Sequence, residues 1–334
     1  MIRFGIAGFG LHAVKRMMPG FALAQNCQVT ALSRRDLTKA QESARQYDIA
    51  HAFASTAELS RCPEVDAVFV TTPNSLHLAD TLAALACGKP VLCEKPMGMN
   101  AAECRQMVEA ARQKKILLGV AQVFRFEESV TRLRERIQAG EIGRPLLARS
   151  EFSFKAGKEH ARTWIYDRSL AGGGPIADVG VHCIDTLRFL LQDEVVRVSA
   201  RGVANPEFPD MEDAAALTLE FSRGTLGSVL VSYLADYRTP LEIVGASGVL
   251  RAEDCLTVER PVTIELRQGG ETADSETVSN HKAYALQLDA FAAALEGSAP
   301  FAAPSEEGWQ NQAILDAAYR SLLSGKAEAV PKVG

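Results

Sequence analysis

The chain opens Met1-Ile2-Arg3-Phe4-Gly5-Ile6-Ala7-Gly8-Phe9-Gly10-Leu11-His12-Ala13. An apolar, strand-like run over 2–7 ends in G-x-G-x-x-A and flows into a helix-compatible stretch. That spelling in that context is a dinucleotide-binding turn. Gly8 permits the tight turn, Gly10 lets the backbone come close to a pyrophosphate, and the small Ala13 lets helix and strand pack closely. The following helix would aim its free N–H groups and positive dipole end at the phosphates. Gly8, Phe9, Gly10, Leu11 and His12 are therefore the candidate contacts to a dinucleotide.

Outward from this turn, strands and helices alternate. Candidate strands fall at 2–7, 28–33, 66–71, 90–93 and 116–120, with helical patterns at 11–24, 37–47, 75–87 and 101–114 between them. Short apolar runs separated by amphipathic helices imply a parallel sheet with right-handed crossovers, a doubly wound domain of the Rossmann kind over 1–121. The pattern then changes. A helix over 127–139 stops at Gly140, a long strand runs over 146–154, and a loop containing Gly157, Gly172, Gly173 and Gly174 leads to a helix over 176–191. Strands follow at 195–204, 214–221, 225–234, 240–245 and 262–267, joined by short turns that favour antiparallel pairing. Helices at 283–296 and 306–323 end the chain. The second domain, 122–334, reads as an α+β unit on a mostly antiparallel sheet, so the fold class is α/β with two domains.

Composition narrows the function classes. A length of 334 residues exceeds one small core. A net charge of -5 with a pI near 5.8 argues against a nucleic-acid surface. No run of about 18 apolar residues suggests a membrane span, and the N-terminus lacks a signal-peptide layout. Seven cysteines without a C-x-x-C pair suit reduced thiols in a cytoplasmic protein. Among them Cys183 reads as a small buried hydrophobe rather than an oxidation-sensitive thiol. The histidines at 12, 51, 77, 160, 182 and 281 show no ligand spacing, so no metal is expected.

The choice of dinucleotide turns on the end of the second strand, where NAD-binding folds place an acid on the ribose hydroxyls. Here it reads Leu32-Ser33-Arg34-Arg35-Asp36. Ser33 with Arg34 and Arg35 suits a 2′-phosphate, which guanidinium groups bind through charge-assisted, bidentate bonds. NADP is the expected cofactor. NAD is the alternative, with Asp36 as the acid and the arginines as surface charge.

Three further strings carry chemistry. Thr71-Thr72-Pro73-Asn74-Ser75-Leu76-His77 lies where a strand ends and a helix begins, the place where open α/β sheets bind ligands. Thr71, Thr72, Pro73, Asn74 and His77 are candidate cofactor contacts, although Asn74 or Ser75 equally suits a helix cap. Glu94-Lys95-Pro96 follows the next strand, so Glu94 and Lys95 would face the nicotinamide and Lys95 would bond a substrate oxygen. In Gly172-Gly-Gly-Pro-Ile-Ala-Asp178-Val-Gly-Val-His182, Pro175 suits a first helical turn. Asp178 and His182 would share one helix face, a pairing used in acid–base catalysis.

In this order the strings resemble the Gfo/Idh/MocA oxidoreductases, the family of glucose–fructose oxidoreductase and inositol dehydrogenase. The resemblance covers essentially the whole length. It includes Gly88-Lys89-Pro90-Val91-Leu92-Cys93-Glu94-Lys95-Pro96, the approach to Asp178 and His182, and Leu241-Glu-Ile-Val-Gly245-Ala-Ser-Gly248. It implies hydride transfer between NADP(H) and a sugar, polyol or related carbonyl. Lys95, Asp178 and His182 would be the catalytic trio, and Arg125 and Trp164 further substrate contacts. Lys155, His160, Arg162 and Tyr237 are additional candidate liners, in loops 155–170 and beyond 205–212. Two alternatives come with the resemblance: an NAD-dependent glycoside hydrolase and a catalytically silent, cofactor-sensing regulator. An open sheet face in the second domain would need cover, so a homodimer or homotetramer is expected.

Overall fold

The structure, a computed structural model, describes residues 1–156 and 163–334. Gly157, His160 and Arg162, singled out in the sequence, lie outside the described residues. The chain divides into two units, Met1–Gln122 with Tyr284–Trp309, and Val123–Ala283 with Gln310–Gly334. A linear division after residue 121 does not provide for the return of Tyr284–Trp309 to the first unit. Apolar packing explains that return. Phe291 meets the rings of Phe4 at 6.0 Å and Phe301 at 5.3 Å, while Val120 N–H bonds Ala303 O at 2.9 Å. Burying one such phenylalanine contributes about 1.5–3 kcal/mol.

The first unit is built on a six-stranded parallel sheet. Its spatial order is His51–Phe53, Cys27–Ser33, Ile2–Ala7, Ala67–Val70, Val91–Glu94 and Leu118–Ala121. Numbered along the chain, that is 3-2-1-4-5-6, the doubly wound order whose reversal lies beside the first strand. The three strands from Ala67 onward are buried at every position, as expected of parallel strands covered on both faces. Helices Leu37–Gln46, His77–Ala86 and Ala101–Lys114 supply the crossovers. The edge strand His51–Phe53 and the helix Thr56–Arg61 have no counterpart in the sequence reading. Three half-buried residues are too few to establish a period.

The second unit is a nine-stranded sheet flanked by helices. The order is Glu271–Ser279, Pro261–Gln268, Val249–Ala252, Leu241–Gly245, Pro145–Ser153, Leu226–Ser232, Glu212–Phe221, Val195–Ala204 and Glu328–Ala329. Neighbours run antiparallel except Leu226–Ser232 beside Pro145–Ser153, which pair in parallel. Helices Glu128–Gln138 and Val181–Leu191 pack on one face, where Leu133, Ile184 and Leu187 join Leu217, Val229 and Ile243 in a continuous apolar core. Period-2 alternation leaves the other face carrying Leu147, Leu226 and Leu230, which are exposed. Two segments read as uniform helices begin instead with π turns, Ala13–Met17 and Ile176–Gly180.

Candidate active site

In the first unit the nucleotide turn is locked to its neighbours. Gly8 has φ +82°, and a Cβ there would lie 2.8 Å from Thr72 N. The N–H groups of Gly8 and Phe9 both donate to Ser33 O, at 3.1 and 2.9 Å. Thr71 Oγ1 donates to Ala7 O at 3.0 Å and Gly8 O at 3.1 Å. Gly10 differs, because a Cβ there would meet only Gly8 O, at 3.7 Å. Its missing side chain is not needed for internal packing and leaves the backbone approachable.

Several candidates in this region have their side chains engaged inside the protein. Phe9 is 1% exposed and packs edge-on to Tyr47, so only its backbone belongs to the turn. His12 Nε2 is 3.0 Å from Glu94 Oε1, an ion pair when the ring is protonated. Burial works to raise the buried Glu94 carboxyl, but His12, Lys95 and His77 outweigh it and hold it below the usual range. His77 is fully buried, with Nδ1 2.9 Å from Pro96 O and Nε2 2.9 Å from Thr72 O. It fastens the Thr72 loop to the Lys95 turn instead of reaching outward. Leu11 and Arg35 are exposed, Ser33 and Asn74 are buried, and Pro73 and Lys95 are half-buried. Arg34 Nη1 donates to Ser43 Oγ at 2.9 Å. Asp36 caps the helix Leu37–Gln46, its carboxylate accepting Lys39 N–H at 3.1 Å. The Lys95–Pro96 peptide is cis, and Lys95 N–H donates to Glu94 Oε2 at 3.2 Å.

In the second unit the glycine run is a matter of close approach. A Cβ on Gly173 would fall 1.7 Å from Tyr319 Oη, and one on Gly174 2.2 Å from Glu212 O. The chain then enters the π turn, with Pro175 at φ −59°. In a π turn the hydrogen bond reaches five residues on. Asp178 lies in that turn, and His182 in the helix Val181–Leu191 that continues it. Asp178 Oδ2 accepts from Tyr233 Oη at 3.1 Å. The His182 ring is buried, 4.5 Å from the Phe124 ring and 6.1 Å from Phe152.

Arg125 is held inside the second unit. Its guanidinium makes a bidentate pair with Asp185, at 2.8 and 2.6 Å, with only 4% of the side chain exposed. Asn311 Nδ2 donates to the same carboxylate at 2.7 Å. Arg125 is thus bound within the core through Asp185, which stands one turn along the helix from His182. Trp164 is half-buried, against a small cluster of Ala156, Ile165 and Tyr233. Lys155 pairs with Asp236 at 2.6 Å, and Tyr237 Oη donates to Leu256 O at 2.9 Å. Cys183 is fully buried and its thiol is pushed up to about 12 by desolvation, which makes it inert. Glu212, Tyr319 and Tyr233 escaped the sequence reading because no motif marks them.

Two family models match the chain. One, described as an oxidoreductase family with an NAD-binding Rossmann fold, matches residues 2–122. The other, the GFO/IDH/MocA C-terminal domain, matches residues 130–251. The chain belongs to the Gfo/Idh/MocA family. It is 31% identical over 334 residues to a 1,5-anhydro-D-fructose reductase of Ensifer adhaerens, covering 99% of each. It is 33% identical over 258 residues to the trans-1,2-dihydrobenzene-1,2-diol dehydrogenase of Mus musculus, 75% of this chain and 74% of the relative. The aldose-aldose oxidoreductase of Caulobacter crescentus, crystallised with glycerol, has the same fold, with TM-score 0.90 at 24% identity over 98% of this chain and 99% of that one. A levoglucosan dehydrogenase solved with NADH and levoglucosan gives TM-score 0.88 at 21% identity, over 99% and 100%. This Gfo/Idh/MocA member is an NAD(P)-dependent oxidoreductase acting on CH–OH groups. Among the described residues no helix is long and apolar enough to cross a membrane.

Proposed function

We propose that this oxidoreductase works with NADP(H) and interconverts a carbonyl and an alcohol of a sugar- or polyol-like molecule. The observation that carries the cofactor assignment is the engagement of Asp36. Its carboxylate serves as a helix cap, while Arg34 and the exposed Arg35 stand at the same strand end. The positive φ of Gly8 and the open space beside Gly10 fit a diphosphate. Gly8, Gly10 and Leu11 would hold it, Arg34 and Arg35 the 2′-phosphate, and Thr72, Pro73 and Asn74 the nicotinamide side.

When bound, the nicotinamide supplies the hydride chemistry. The ammonium of Lys95 would hold and polarise the reacting oxygen, stabilising charge that develops on it. His182 would give that oxygen its proton in reduction and take it back in oxidation. Asp178 would accept hydrogen bonds from substrate hydroxyls or orient the imidazole. The names of the two curated relatives, an anhydroketose reductase and a dihydrodiol dehydrogenase, favour a cyclic substrate. The exposed leucines on the open sheet face support a homodimer or homotetramer. Seven cysteines, none in a disulfide among the described residues, support a reducing, cytoplasmic setting.

Titration with NADPH and NADH, followed by a panel of cyclic carbonyls monitored at the reduced-nicotinamide absorbance, tests the reading. Tighter NADPH binding and turnover with at least one carbonyl are expected. Equal affinity for the two cofactors would overturn the NADP assignment. Tight binding with no turnover across the panel would move the chain toward a hydrolase or a sensor.

A further inference from the structure

Asp178 lies in a segment that its own helix geometry does not fix. The π turn Ile176–Gly180 spans only five residues, and the first backbone N–H groups of a helix have no partner inside it. Something outside the segment has to set where the carboxylate sits.

One strand end does this twice. Glu212, the first residue of strand Glu212–Phe221, is 6% exposed. Its carboxyl accepts Gly174 N–H at 3.2 Å, Ile176 N–H at 3.0 Å and Tyr319 Oη–H at 3.0 Å. Two of these donors are backbone groups at the start of the π turn, which a helix cannot bond internally. The neighbouring residue, Asp213, accepts Tyr233 N–H through its carbonyl at 2.8 Å. Tyr233 in turn directs its hydroxyl onto Asp178 Oδ2. Its ring is 2% exposed and wedged against Phe154 at 5.2 Å and Tyr166 at 6.0 Å, so the hydroxyl has little freedom to swing. Gly173 and Gly174 are glycines because this latch needs Tyr319 and Glu212 where their side chains would stand.

We propose that Glu212 and Tyr233 are positioning residues for Asp178: Glu212, seated by Tyr319, anchors the start of the π turn, and Tyr233 sets the carboxylate. The proposal rests on the catalytic reading of Asp178. Neither residue touches the reacting atoms in this account; both act through geometry, where a displacement of about 1 Å costs roughly a hundredfold in rate.

Two variants separate the proposal from a merely structural role. Tyr233→Phe removes one hydroxyl and keeps the ring packing. Its kcat should fall by about tenfold or more with NADPH affinity and melting temperature unchanged, the signature of a lost transition-state geometry. Glu212→Gln should raise amide hydrogen exchange over residues 174–180 by about tenfold or more, measured without substrate, while exchange in strand 212–221 stays as in the wild type. Tyr233→Phe with kcat and KM within about twofold of wild type would overturn the proposal for that residue. Unchanged exchange over 174–180 would overturn it for Glu212. If the wild type turns over no carbonyl, the functional reading fails, and the exchange measurement still decides whether Glu212 anchors the turn.

Discussion

The Lys95 turn in the first unit and the Asp178–His182 segment in the second are held by different chemistry. The Lys95 turn is fastened by imidazoles: His77 between Thr72 O and Pro96 O, and His12 against Glu94. The Asp178 segment is fastened by a carboxylate and two phenols, those of Glu212, Tyr319 and Tyr233. Histidine changes charge nearer to neutral pH than the other groups do. In the second unit burial raises the Glu212 carboxyl above its usual range and the Tyr319 hydroxyl well above its own.

The sharpest way to break the comparison is to remove the reacting group from the second unit alone. His182→Ala should lower kcat by about 10²–10⁴, the usual contribution of a general acid, with NADPH affinity intact because the proposed cofactor residues lie in the first unit. Full turnover by this variant would end the assignment. A stability effect comes next. Asp185→Asn leaves the guanidinium of Arg125, almost wholly buried, without its counter-charge. The second unit should lose about 3–5 kcal/mol, read by denaturant unfolding. Retained stability would contradict the reading of Asp185 as the charge that holds Arg125 in the core.

A third change acts on the first unit only. Arg34→Asp should weaken NADPH binding by about tenfold or more, since it replaces a phosphate partner with a repelling charge. NADH binding should hold or improve. Equal loss for both cofactors would mean that Arg34 supports the strand end, through Ser43, and does not read the phosphate.

The smallest effects are slopes of stability against pH, and the two units should differ in sign. Burial lowers His77, with its carbonyl partners and nearby Glu94 and Asp80 opposing. Between the folded value and about 6.5 the unfolded chain binds more protons, so the His77 contribution is present above that window and lost as pH falls through it. Glu127 in the second unit is wholly buried. Desolvation raises it well above the usual range, with Ser129 opposing. Here the folded state binds more protons, so stability falls as pH climbs above about 4.3. His77→Gln should flatten the acid-side slope and Glu127→Gln the other, each followed by urea unfolding across pH. An unchanged slope in either variant would remove that group from the account.

The parts of the fold visible in the sequence are those where one segment decides its own state. The buried strand Ala67–Val70 and residues 91–93 of Val91–Glu94 are unbroken apolar runs, and the Gly8 turn carries its own spelling. Strand Glu271–Ser279 left no apolar signal, because almost all its side chains are exposed. The parallel pairing of Leu226–Ser232 with Pro145–Ser153 and the return of Tyr284–Trp309 depend on distant partners. The π turns hide because one extra residue per turn leaves the apolar pattern nearly unchanged. Site residues follow the same rule. Phe9, His12, His77 and Arg125 have the residue types of ligand contacts, and composition does not reveal that Tyr47, Glu94, two carbonyls and Asp185 already engage them. Tyr233 and Glu212 carry no local mark at all.

Lys95→Met tests the central claim most directly, with NADPH oxidation by an accepted carbonyl and NADPH affinity measured on the same preparation. The account predicts a fall in kcat of about 10²–10³, in line with removal of a donor that stabilises a developing oxyanion, and NADPH affinity within about twofold of wild type. Turnover equal to that of the wild type would contradict it.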